Sequence, residues 1–192
     1  MKLEIQSVDF SYGEKQIFGN VNLKLSSGNR VAIMGPSGAG KTTLLHLMAG
    51  LLRPERGQIN GIPDRIGMVF QEDRLLSQIS ILKNVAFAAP AAGETIIHFL
   101  LGQVGLELEA DSRPEALSGG MKRRVAIVRA VAAKSPLLLL DEPFSGMDEQ
   151  TKELTARFIL RNAPESILVA ATHDEQEAAL LDSEIIPLAS LN

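Results

Sequence analysis

Nine residues, Gly35-Pro36-Ser37-Gly38-Ala39-Gly40-Lys41-Thr42-Thr43, carry the densest chemical signal in the chain. They fit G-x-x-x-x-G-K-[ST], the pattern of a phosphate-binding loop. Glycines let the backbone turn tightly and aim several N–H groups at one centre. A helix starting at the end of the loop adds the positive end of its dipole. Lys41 can reach outer phosphates, and the Thr42 hydroxyl can bind Mg2+. A second group, Asp141-Glu142, directly follows the run Leu137-Leu138-Leu139-Leu140. A buried strand that ends in two carboxylates beside a phosphate loop suits metal-assisted hydrolysis. Asp141 would hold Mg2+ through water, and Glu142 would polarise an attacking water. A third feature, Leu117-Ser118-Gly119-Gly120-Met121, opens a long helical pattern. Ser118 is a good N-cap, and the glycines leave backbone N–H groups open, which makes a second anion site.

The elements that must position these groups follow from local patterning. Val31-Ala32-Ile33-Met34 before the loop reads as a buried strand, and residues 43–49 after it read as a helix ending at Arg53-Pro54-Glu55-Arg56-Gly57. Residues 2–10 and 21–25 read as strands. With Gln58-Ile59-Asn60 and Ile66-Gly67-Met68-Val69-Phe70 they suggest an antiparallel layer beside the loop strand. From Gln71 to about Ser135 the pattern turns helical, near 80–88, 94–104 and 119–133, with Met121, Val125, Val128 and Ala132 on one face of the last. We read this stretch as a helical lobe inserted into the sheet domain. Beyond it come buried strands at 137–140 and 167–171, helices at 149–162 and 174–181, and a strand near 184–188. Strands alternating with helices imply a parallel sheet. With so little chain after that strand, no C-terminal accessory domain is expected.

Composition narrows the class. The 192 residues, 45% of them hydrophobic, suit one domain with a lobe attached. A net charge of −4 implies no bulk attraction to nucleic acid. Lys122-Arg123-Arg124 is the dense basic cluster, and a solvated helix face accounts for it. There is no cysteine, which removes disulfide and thiol chemistry and fits the cytosol. The N-terminus lacks a signal-peptide core, and no apolar run approaches the roughly 20 residues of a membrane helix. The expectation is a soluble chain that reaches a membrane only through a partner.

Taken in order, the motifs resemble those of the ATP-binding cassette (ABC) family: Tyr12, the phosphate loop, Gln71 after a strand, the signature at 117–121, Asp141-Glu142, Ser145-Gly146-Met147-Asp148 and Thr172-His173-Asp174. The resemblance covers nearly the whole chain. It implies an α/β fold: a P-loop, RecA-like ABC ATPase core formed by 1–70 and 136–192, with an N-terminal antiparallel layer and a helical lobe at about 71–135. By position it implies that Tyr12 stacks on adenine and that Gly35 through Thr43 cradle the phosphates. It further implies that Thr42, Gln71 and Asp141 serve Mg2+, and that Lys41, Gln71, Glu142 and His173 are catalytic. Ser118, Gly119, Gly120 and Met121 would act in trans on a nucleotide held by a second subunit, with Asp148 at the subunit contact. ATP would join the two subunits, and hydrolysis would release them. His46 and His98 are read as structural.

Met121 stands where the family usually has glutamine, and Gly146-Met147 where Ala-Leu is usual. Neither change removes a residue that touches phosphate or Mg2+. Gln71-Glu72-Asp73-Arg74-Leu75-Leu76, then Asn84-Val85-Ala86-Phe87, resembles the ATPases of bacterial importers for nitrate, sulfonates and taurine, although Ser77-Gln78 replaces their Pro-Trp pair. The implied partners are a second such subunit, a multi-span membrane permease and a solute-binding protein, with the chain peripheral on the cytoplasmic face of the membrane. Glu72, Asp73 and Arg74, with Leu75, Leu76, Ile79 and Ile81, would offer the docking surface. The alternative is an ABC-type regulatory or assembly ATPase. A P-loop kinase or GTPase leaves the signature and His173 unexplained, and the chain has no Asn-Lys-x-Asp guanine motif.

Overall fold

The computed structural model describes residues 1–191. Alternating apolar residues build the first sheet. Strand β1 (Lys2–Tyr12) turns Leu3 and Ile5, then Val8 and Phe10, towards the core. The parity changes at Ser7, whose φ of 49° marks a bulge that absorbs one residue. Strand β1 is central, pairing antiparallel with β2 (Lys15–Ser26) on one side and β4 (Arg56–Asn60) on the other, giving the order β2-β1-β4. Gly57 of β4 nests on the bulge, where a Cβ would stand 2.3 Å from the Ser7 carbonyl oxygen. β2 starts six residues before the expected 21–25 segment, because Gly13 (φ 59°) makes a tight hairpin that pairs Tyr12 with Lys15.

The second sheet is parallel, in the order β5-β6-β7-β3-β8. Its strands are β3 (Arg30–Met34), β5 (Ile66–Val69), β6 (Leu137–Asp141), β7 (Ile167–Thr172) and β8 (Glu184–Pro187). Ile66–Val69 therefore does not join the antiparallel layer as expected. It pairs with β6, Ile66 opposite Leu137 through Val69 opposite Leu140. A short apolar run fits a parallel strand and an antiparallel one equally well. Helix α1 (Lys41–Met48) also ends earlier than expected, at Ala49-Gly50. Gly50 takes φ 68°, and the Leu51 amide bonds back to the His46 carbonyl at 2.9 Å, a glycine-terminated helix end.

The parallel sheet has two apolar faces because successive side chains alternate. Leu137 and Leu139 join α1 and the antiparallel sheet in one cluster. Leu138 and Leu140 join a second cluster with α2 (Ile81–Ala88), α3 (Glu94–Gly102), α4 (Gly119–Ala132) and α5 (Glu149–Asn162). Each buried leucine contributes about 2 kcal/mol from its removal from water. The short α6 (Glu175–Leu180) follows β7. The sheet is thus clamped on both faces, and the carboxyl ends of β3, β6 and β7 open on one edge, where ligand sites of such sheets lie.

Candidate functional site

The loop at 35–40 leaves the end of β3 and enters α1 directly. Gly38 (φ 76°) and Gly40 (φ 111°) adopt left-handed backbone conformations. At Gly40 the constraint is also spatial: a Cβ would lie 2.7 Å from Ile17 Cγ2 and 3.0 Å from the Phe18 ring, so β2 can pass under the loop only with glycine there. No side chain caps α1, so its first amides face the loop's interior. Lys41 arches over the loop, donating to the Gly35 carbonyl at 2.7 Å and the Pro36 carbonyl at 3.2 Å.

Opposite the loop stands the end of β6. The Thr42 hydroxyl donates to Asp141 Oδ2 at 2.7 Å. Glu142, the next residue, takes φ 49°, and its amide donates to the Ala171 carbonyl at 2.9 Å. This left-handed turn swings its carboxylate out of the strand. His173, at the end of neighbouring β7, brings Nδ1 to 3.2 Å from Glu142 Oε1. Tyr12, Ser37, Gly38, Gly40, Lys41, Thr42, Thr43, Gln71, Asp141 and Glu142 line one cleft of about 370 Å³, with Lys15 and Ile17 at its wall. Tyr12 is 52% exposed and packs edge-to-face on Phe10 at 5.0 Å. The Thr42 hydroxyl, Asp141 carboxylate and Gln71 amide offer hard oxygen donors. Such a small set suits Mg2+, which binds few protein ligands and keeps several waters.

The expected signature residues do not line this cleft. Ser118 caps α4, accepting from the Met121 amide at 3.3 Å. Open space faces Gly119, whereas a Cβ on Gly120 would stand 2.9 Å from the Gly146 carbonyl oxygen. Asp148 caps α5, accepting from the Thr151 amide at 2.9 Å and the Thr151 hydroxyl at 3.0 Å. The Thr151 amide first, then its hydroxyl, hold the Asp148 carboxyl below the usual range.

Lys122-Arg123-Arg124 is not a solvated face. Arg123 is 3% exposed. It donates to the carbonyls of Phe70, Gln71, Asp141 and Glu142 and to Asp73 Oδ1. Arg124 bonds the Val104 and Gly120 carbonyls, and burial lowers its pKa against the nearby charge of Asp148. Charge composition alone hid this. The signal lay in the unbroken run Val125-Ala126-Ile127-Val128, since a helix apolar on several faces has no room for a solvated arginine beside it. The residues expected as a docking surface also divide. Ile81 is fully buried, and Leu75 packs against the core. Leu76 stays exposed and, with Leu51, Met68, Phe70, Arg74, Phe87 and Arg129, lines a separate apolar groove of about 440 Å³. Buried Asn84 fastens the groove's loop, accepting from the Leu76 amide at 2.7 Å and donating to the carbonyls of Leu76, Ile79 and Ser80.

The family model described as ABC transporter matches residues 18–145. The chain is 37% identical to the sulfate/thiosulfate import ATP-binding protein CysA of Pseudomonas aeruginosa over 97% of its own length. It spans 63% of the length of that relative. It is 41% identical to the aliphatic sulfonates import ATP-binding protein SsuB 2 of Burkholderia lata, covering 93% of this chain and 69% of that one. The fold superposes with a TM-score of 0.83 on MJ0796, a bacterial ABC transporter cassette solved as a dimer, at 30% identity over 97% of this chain and 94% of that one. The same cassette has been solved in a post-hydrolysis state with ADP and Pi, again with a TM-score of 0.83. The chain belongs to the ABC transporter family.

Proposed function

We propose that this chain is a single ABC ATPase domain that binds and hydrolyses ATP to energise solute import. The observation that carries the reading is the cleft itself, in which the phosphate loop, Thr42–Asp141 and Glu142 face one space. Tyr12 would stack on adenine, a contact contributing about 1–3 kcal/mol per base. The amides of Gly35 through Thr43 and the Lys41 ammonium would hold the phosphates. Thr42, Gln71 and Asp141 would hold Mg2+, which when bound would neutralise phosphate charge during hydrolysis. Glu142 would take the proton of the attacking water as its oxygen bonds the γ-phosphorus and the bond to the bridging oxygen breaks, releasing ADP and phosphate. His173 would steady the γ-phosphate beside Glu142. Ser118, Gly119, Gly120 and Met121 would close on the nucleotide of a second copy, with Asp148 at that contact.

The named relatives import sulfate, thiosulfate and aliphatic sulfonates, which supports an oxidised sulfur anion as the solute. No described helix is long and apolar enough to cross a membrane. We assign passage of the solute to a multi-span permease, served by a solute-binding protein, with this chain docked on its cytoplasmic side. The apolar groove around Leu76 and Phe87 suits that docking. The test is hydrolysis by the purified chain. ATP turnover should require Mg2+. Glu142→Gln should keep ATP affinity and stall turnover, because an amide cannot accept the proton. Lys41→Ala should weaken ATP binding about 10- to 100-fold, the loss of a charged hydrogen bond. Unchanged turnover in Glu142→Gln would remove the catalytic assignment.

A further inference from the structure

Arg123 belongs to neither the phosphate loop nor the metal-binding set, yet its guanidinium touches the backbone on both sides of the site. One amino group donates to the carbonyls of Phe70 and Gln71 and to Asp73 Oδ1, and the other donates to the carbonyls of Asp141 and Glu142. The planar fork thereby spans the Gln71 loop and the end of β6, two segments in different parts of the chain. Arg129, further along α4, holds the same loop through the carbonyls of Asp73 and Arg74 at 2.9 and 2.8 Å.

This arrangement is costly for stability alone. A buried guanidinium loses its hydration, and Arg123 Nε has no hydrogen-bond partner. Apolar residues fill the neighbouring buried positions Val125, Ile127 and Val128, and an apolar side chain commonly replaces a buried ion without loss of stability. A fork that fixes the backbone of Gln71 relative to that of Glu142 gives the charge a purpose.

We propose that Arg123 is a positioning residue for hydrolysis. It sets the Gln71 amide and the Glu142 carboxylate in the mutual geometry that an attacking water needs. It does so from α4, whose capped first turn carries Ser118 five positions earlier. Alignment of the hydrolytic pair is therefore tied to the helix that engages nucleotide in trans. The inference rests on the ATPase reading above and adds to it the residue that holds its two water-facing groups together.

Arg123→Lys is the informative change. The lysine keeps the charge, but a single ammonium cannot bridge both sets of carbonyls. ATP affinity by calorimetry should stay within about threefold, and an ATP-dependent dimer should still form, while kcat falls by at least about tenfold, as expected when only transition-state geometry is lost. The phosphate loop makes no contact with Arg123, so the KM for ATP should change little. Unchanged kcat in a folded Arg123→Lys protein would overturn the proposal. So would a parallel loss of ATP affinity, dimer and kcat, which marks a merely structural residue. If Arg123→Lys does not fold, Asp73→Asn loosens one acceptor of the same fork and should lower kcat severalfold with affinity intact; no change there would equally overturn it. Absence of turnover in the wild-type protein would instead defeat the ATPase reading itself.

Discussion

The Thr42 hydroxyl donates to Asp141 Oδ2 across 2.7 Å, joining residues 99 positions apart in sequence. The bond ties the first turn of α1 to the last residue of β6 and gives the cleft its polar floor. If these two groups share Mg2+, the hydroxyl itself is required. Thr42→Ser should hydrolyse ATP within a fewfold of wild type. Thr42→Val should lose Mg2+-stimulated turnover, with the Mg2+ concentration for half-activation rising at least about tenfold, the effect of losing one hard oxygen ligand. A magnesium titration of initial rates distinguishes the two variants.

Gly40 is the residue whose backbone the loop can least exchange. Any side chain there meets Ile17 and Phe18 and must hold φ near 111°. Gly40→Ala should destabilise the protein by at least about 1–2 kcal/mol, the cost of a left-handed backbone for an L-residue. Displacement of the loop should also reduce ATP affinity. Urea denaturation and calorimetry check the two effects separately.

Much of this architecture was legible beforehand, for identifiable reasons. The loop has a strict spacing, and the strands at 137–140 and 167–171 are continuous apolar runs that parallel sheets require on both faces. The helix expected at 149–162 forms over Glu149–Asn162, and the structure adds Asp148 as its N-cap. Three placements escaped. Ile66–Val69 has no periodicity to say which sheet it joins. The hairpin at Gly13 was masked because Gly19 and Asn20 inside β2 look like a break, although Asn20 (φ 59°) is held there by its amide bond to Asp9 at 2.7 Å. Arg123 escaped because the carbonyls that receive it are supplied by distant segments, and the apolar run Val125-Ala126-Ile127-Val128 is the one local sign of its burial.

Asp148 offers a pH-dependent probe of the α5 cap. Its carboxyl is held below the usual range by the Thr151 amide and hydroxyl. A depressed folded-state pKa means the stabilisation is present above the unfolded value and is lost as pH falls through the folded one. Asp148→Ala should therefore be less stable than wild type at neutral pH, and the gap should narrow on acidification through that lowered pKa. Denaturation curves at several pH values test the trend.

Substitutions in the groove beside the Gln71 loop test the transport reading against a regulatory one. Leu76 and Phe87 are exposed there, and the Arg74 guanidinium lies 4.0 Å over the Phe70 ring. Replacing Leu76 and Phe87 with serine should spare ATP turnover of the isolated chain, since neither lines the nucleotide cleft. Membrane association and solute uptake in cells should fall sharply. Full uptake by the double variant would move the docking surface elsewhere, and normal growth on the solute with no membrane association would favour a regulatory ATPase.

The central claim is that each chain holds two half-sites, a phosphate loop and a signature helix, which a nucleotide joins across a dimer. Sizing chromatography of Glu142→Gln tests it most directly. With ATP and Mg2+ the variant should elute as a dimer, and with ADP as a monomer, because in the proposed arrangement the γ-phosphate would bridge the loop of one copy and Ser118 of the other. A variant that binds ATP yet remains monomeric at high protein concentration would contradict the account.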